Sequence, residues 1–147
     1  VIRFADGLWL KCKAEDYVRK SAAKSAIELE KNALAVIMAG GLDDVKPLLE
    51  PKQVAAVEQY ESAVMGGVSA TASQVQAIVD GGAHLDQKAF ATEHLKSVEP
   101  ALRALAFQVR KGARVADAVK ALISKNLGSQ TDVDGIRYLF GNAVWPL

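Results

Sequence analysis

With a single cysteine, Cys12, the chain has no partner for an internal disulfide, so it is not a cross-linked scaffold and its redox compartment stays undetermined. Only two histidines are present, His84 and His94. They are ten positions apart, and neither has a nearby cysteine or a glutamate at metal-ligand spacing. No Gly-Lys-Ser/Thr signature follows any glycine pair, which excludes a P-loop phosphate cradle. The uncharged run from Asn32 to Leu42 falls well short of the ~20 apolar residues that a membrane span needs. Period-two alternation is nowhere sustained, although residues 2–10 read as extended. Internal repeats, low-complexity tracts and long linkers are also missing.

What remains is helix. The 147 residues suit one domain covering the whole chain and suffice to bury a core. Half are apolar and 24% are charged, a balance that fits a globular protein and not a disordered one. Abundant alanine favours helices and their close approach. Three glycine pairs, Gly40-Gly41, Gly66-Gly67 and Gly81-Gly82, each follow a helical stretch and read as stop signals, because glycine enters the left-handed conformation without a Cβ penalty.

The resulting division starts with a long helix over 14–39, with Glu15 and Asp16 in its first turn, where the helix dipole favours negative charge. A connector over 42–50 leads to Pro51, which suits the first position of a helix running to about Met65 with a stripe of Val54, Val57, Tyr60 and Val64. Thr71 and Gln74 stand at capping-box spacing and open a short helix through Val75, Ile78 and Val79. Leu95, Val98, Leu102, Leu105 and Val109 form a heptad-like seam that Pro100 kinks or splits near Glu99. Gly112 marks a further break. Val115, Val119, Leu122, Ile123 and Leu127 define another helix, and Thr131 and Asp134 open a last short one through Tyr138 and Phe140. The expected fold is all-α: a compact bundle of four to six helices with short Gly-rich connections and a non-helical N-terminal arm.

Charge is segregated although it totals only +1. Residues 11–24 hold five basic residues against two acids, 28–61 seven acids against three lysines, and 88–125 eight basic residues against three acids. Such blocks read as complementary neighbouring helices or solvated faces. The sharper reading is a basic surface of Arg103, Arg110, Lys111 and Arg114, in which the three arginines share a face if their helix continues. A near-neutral total, no basic tail and no interleaved aromatics speak against nucleic acid as its partner.

Cys12 lies between Lys11 and Lys13, which favours its thiolate, but a buried inert thiol is the ordinary reading. Adjacent Asp43 and Asp44 read as a helix cap. No catalytic constellation is present, and the expectation is a protein that is not an enzyme and carries no cofactor or metal.

The aromatic residues cluster at the ends, leaving both termini apolar where most chains are polar. One reading has the ends fold back to cap the core. The other has them dock on a protein partner in a larger assembly, through Phe4, Trp9, Tyr138, Phe140, Trp145 and Leu147, since Trp and Tyr dominate interface hot spots. Pro146 stiffens the C-terminal end and lowers the entropy lost on docking. The function expected first is therefore that of an accessory or structural subunit. Second comes a helical carrier holding an apolar small molecule or pigment between its helices, with Met38 and Met65 lining the space. A small enzyme with Cys12 as nucleophile ranks last.

The chain begins at Val1 without an initiator methionine, so a presequence has been removed or the chain is part of a longer one. A processed start fits an organelle or an exported compartment. In size, helicity and this start, the chain is similar to small extrinsic helical subunits of organellar membrane complexes, such as the four-helix lumenal subunits of photosystem II. The likeness implies a helical bundle peripheral to a photosynthetic or respiratory membrane complex, and it assigns no residue a role.

Overall fold

The computed structural model describes residues 2–3, 5–7, 9–10 and 14–147, with the backbone alone for 2–3 and 9–10. It is all-α apart from one minimal antiparallel pair near the start. There β1 (Ile2–Arg3) meets β2 (Trp9–Leu10) in the register Ile2↔Leu10 and Arg3↔Trp9. Eight α-helices follow among the described residues, so the expected count of four to six is not met. They are α1 (Glu15–Glu28), α2 (Glu30–Met38), α3 (Leu42–Val45), α4 (Pro51–Gly81), α5 (Gln87–Ala89), α6 (Pro100–Arg110), α7 (Val115–Lys125) and α8 (Gln130–Ile136). A 3₁₀ turn, Lys46–Leu48, precedes α4; a π-helical turn, Phe90–His94, follows α5; a second 3₁₀ turn, Arg137–Phe140, follows α8.

The axis of the fold is α4. Its start is built as Pro51 announced: proline occupies the first turn, and Glu50 and Gln53 form a reciprocal capping box, with Gln53 Oε1 accepting from the Glu50 N–H at 3.0 Å. Lys46 pins the preceding turn to this helix through Glu58 (3.5 Å) and Glu61 (3.4 Å). With 31 residues α4 is about 46 Å long at 1.5 Å per residue. It runs straight through Gly66 and Gly67, so the expected stop there and the expected new start at Thr71 and Gln74 are both overturned. Gly67 serves a close approach instead: a Cβ at this position would lie 2.0 Å from the Phe140 carbonyl carbon. One turn on, the buried Thr71 donates its hydroxyl to the Leu139 carbonyl at 2.9 Å. Gly67 and Thr71 thus make a smooth, polar-tipped seat for the 137–140 turn. Residues 62–79 of α4 are uncharged, but Ser, Thr and Gln interrupt them. No helix among the described residues is long and apolar enough to cross a membrane.

The expected first helix over 14–39 is likewise corrected. It breaks at Leu29, whose extended backbone (φ −114°, ψ 140°) separates α1 from α2. The side chain of Asn32 covers one carbonyl left open by the break, donating to Ser25 at 3.3 Å. Pro100 stands in the first turn of α6, and Gly112 (φ +108°) closes that helix, both as their chemistry predicts. The last helix starts one step earlier than Thr131: Ser129 is its cap and accepts from the Asp132 N–H at 3.2 Å. Glycine stands in several connections, at Gly40-Gly41, Gly82, Gly112 and Gly128, but Leu29 alone divides α1 from α2, so Gly-rich connections are not the rule throughout.

Against α4 pack α6, α7 and the 137–140 turn. The core between them holds Leu34, Val57, Tyr60, Val64, Phe90, Leu105, Ile123, Leu139 and Phe140, all essentially inaccessible.

Candidate functional site beneath the carboxyl-terminal segment

Glu30 opens α2, so its carboxylate lies at the positive end of a helix dipole, and the kink at Leu29 turns it inward. It is only 7% exposed. Four bonds saturate it. Arg137 grips it as a fork, NH1 to Oε1 at 2.6 Å and NH2 to Oε2 at 2.7 Å. The Tyr60 hydroxyl donates to Oε1 at 2.7 Å and the Gln130 amide to Oε2 at 2.6 Å. Gln130 and Asp134 stand at i and i+4 on α8, and Arg137, three residues on at the start of the 3₁₀ turn, joins them on the same side through Asp134. Asp134 Oδ1 accepts from Arg137 at 2.5 Å and from Gln130 at 3.2 Å.

Electrostatics follow from this geometry. Burial by itself raises the Glu30 carboxyl, but the bonds from Arg137, Tyr60 and Gln130 outweigh it and hold the group below its usual range. Burial and the adjacent Glu30 carboxylate push the Tyr60 hydroxyl far above its ordinary value. The bond to Glu30 likewise strengthens the proton hold of Arg137. A carboxylate with four donors at its oxygens has no lone pair spare for proton abstraction, so the arrangement ties elements together and is ill-suited to acid–base chemistry.

The chain's end closes over this cluster. Arg137 NH1 also donates to the Ala143 carbonyl at 2.5 Å. The Trp145 ring meets the Tyr60 ring edge-on, with centroids 4.9 Å apart and an interplanar angle of 78°. Its indole Nε1 is buried without a hydrogen-bond partner.

The predicted site residues are scattered by the fold. Phe140 is fully buried in the core, so it is not a surface contact, and Trp145 is half-buried on Tyr60. Tyr138 and Leu147 are exposed, and so is the neighbouring Val144. Phe4 lies outside the described residues, as do the Trp9 side chain and Cys12. Leu147 lines a hollow with Ser21, Ile27 and Gln53. Ser21 and Lys24 are shared with an adjoining groove of about 540 Å³, walled by Tyr17, Leu48, Leu49 and Pro51. The C-terminal end and the outer side of α1 therefore form one continuous surface.

The basic face does not assemble. Arg103 turns back to the Val98 carbonyl at 2.5 Å. Arg110 donates to the carbonyls of Gly82 and Leu85 and lies 4.3 Å above the Phe90 ring centroid. Those guanidiniums are capping their own chain. Lys111 and Arg114 are exposed, but α6 ends at Arg110 and Arg114 caps α7, so the i, i+7, i+11 face is broken at Gly112. Met38 and Met65, the candidates for lining a ligand space, are partly buried and pack against the core.

The Glu30 cluster escaped sequence reading, because its members lie up to 107 positions apart and Glu30 sits in an acidic block. The one available signal was the i, i+4, i+7 spacing of Gln130, Asp134 and Arg137. Comparison with protein-family models, curated proteins and solved structures yields no match.

Proposed function

We propose that this chain is a non-enzymatic accessory subunit that docks onto a larger protein assembly through the surface where α1 meets the C-terminal segment. One observation carries the reading. The large apolar side chains that stand exposed among the described residues are Tyr17, Val18, Leu29, Tyr138, Val144 and Leu147. All belong to 17–29 or 138–147, and none to the long middle of the chain. A solvated monomer scatters such residues singly; here they fall on two segments, and Tyr17 and Leu147 line adjoining hollows, which fits a contact surface.

The interior supports the same reading by its economy. Trp145 packs on Tyr60, and in that position the segment presents Val144 and Leu147 (74% and 55% exposed) at the surface.

The test is gentle purification from the native source followed by native mass spectrometry. A stoichiometric complex is expected. Val144→Asp combined with Leu147→Asp should weaken it at least ~10-fold, about 1.4 kcal/mol, with an unchanged melting curve. Removal of 145–147 is the poorer test, since it strips Trp145 from Tyr60. Undiminished assembly of the double variant would overturn the reading.

A further inference from the structure

The C-terminal segment is held by side chains alone. Among the described residues, 143–147 take part in no backbone–backbone hydrogen bond; the last such bond runs from the Asn142 N–H to the Arg137 carbonyl at 3.0 Å. Up to Gly141 the chain is clamped, because a Cβ on that residue would lie 3.0 Å from the Gly67 Cα. Gly141 and Asn142 are both left-handed, with φ +72° and +56°, so the chain changes direction there. Beyond that bend the attachments among the described residues are the Arg137 bond to the Ala143 carbonyl, the packing of Ala143 and Trp145 against the core, with Trp145 edge-on to Tyr60, and the place of Leu147 beside Ser21 and Ile27 of α1.

One of these attachments is incomplete. No protein group accepts from the buried indole N–H in the closed position, and opening exposes it to water. Opening also leaves the ion pair intact, because NH1 and NH2 of Arg137 each keep a Glu30 oxygen. The seat of the 137–140 turn on Gly67 and Thr71 lies on the near side of the bend and is untouched.

We infer that residues 142–147 form a strap that opens as a unit about Asn142, with Arg137 as its catch. Opening exposes Trp145 and draws Leu147 away from α1, so the surface that α1 and the segment share is present only while the strap is closed. That use of the strap rests on the docking reading above; the motion itself does not. Glu30 orients the guanidinium, so Arg137 acts on the strap as a positioning residue.

Exchange of the Trp145 indole proton, followed by NMR, reports the motion, since Nε1 is buried and exchanges only when exposed. The Trp145→Phe variant assigns the resonance against that of Trp9. In the unmodified chain the indole proton is expected to exchange at least ~100-fold faster than the Val64 and Val68 amides of α4, at a rate insensitive to low urea. Arg137→Lys keeps a cation for Glu30 but loses the fork; it should speed indole exchange ~5-fold or more relative to the α4 amides. Indole and α4 protons exchanging together across urea concentrations would overturn the strap, and this comparison needs no variant. Equal acceleration of both in Arg137→Lys would overturn the catch. A strap that stays shut while Val144→Asp with Leu147→Asp still dissociates the complex leaves docking standing and this inference fallen. An opening strap with a complex indifferent to that variant does the reverse.

Discussion

Two adjacent glycines in α4 stand in opposite surroundings. Gly66 faces open space, and a Cβ there meets nothing within 4 Å, whereas Gly67 is pressed against the backbone of Phe140 and Gly141. Gly66→Ala should therefore stabilise by about 0.5–1 kcal/mol through helix propensity and a less disordered unfolded chain. Gly67→Ala should destabilise by roughly 3 kcal/mol, at the upper end for overpacking because the obstacle is backbone and not a movable side chain. Urea unfolding of the two variants checks both signs at once. Glu30 is the other decisive residue. Its replacement by alanine leaves the Arg137 charge and the Tyr60 hydroxyl without their acceptor, and the expected loss is about 3–5 kcal/mol. Glycine as a residue type was plain in the sequence, but its purpose at 67 was not: a stop and a close approach look alike until the neighbour is known.

Among the elements, α4 and α1 stand at opposite extremes. The stripe Val57, Tyr60, Val64, Gly67, Thr71, Val75 continues at spacings of three and four through the glycine pair, and all of its members are buried. That continuity was the readable sign of one helix, and the glycine rule concealed it. By contrast α1 buries only Ala23 and Ile27. It leans on the Lys46–Leu48 turn and on exposed pairs, Lys20–Asp16 at 3.0 Å and Lys24–Glu50 at 3.3 Å, which add little in water. Its amides over 18–24 should exchange at least ~100-fold faster than those of α4 in native-state hydrogen exchange, and similar protection in both would contradict this packing. Proline and Gly112 marked their boundaries correctly, since each acts through its own backbone. The break at Leu29 had no such mark, because it follows from seating Glu30 among groups that lie on other helices.

For the molecule as a whole, the Glu30–Arg137 pair joins the start of α2 to the chain beyond α8, so its titration is a global event. The folded carboxyl is held below the ordinary value of 4.5. A depressed folded value means that the unfolded chain takes up the proton first. The stabilisation is complete above 4.5 and disappears as pH falls through the folded value. Melting temperature should therefore drop on acidification below pH 4.5, and Glu30→Gln should flatten that part of the profile; an unchanged acid limb would contradict the linkage. The proposed docking surface is equally a product of the whole, since α1 and Leu147 meet only after folding. Composition, alanine content and the spacing of apolar residues were enough to specify a helical chain, because helix formation and amphipathicity are local properties. The prolines set two helix starts for the same reason. Helix continuity at Gly67, burial of Glu30 and Phe140, diversion of Arg110 to carbonyl capping, and the packing of Trp145 over Tyr60 all depend on atoms distant in sequence. Contacts of that kind are written in no local pattern, and they arise when packing selects which polar groups must find partners inside.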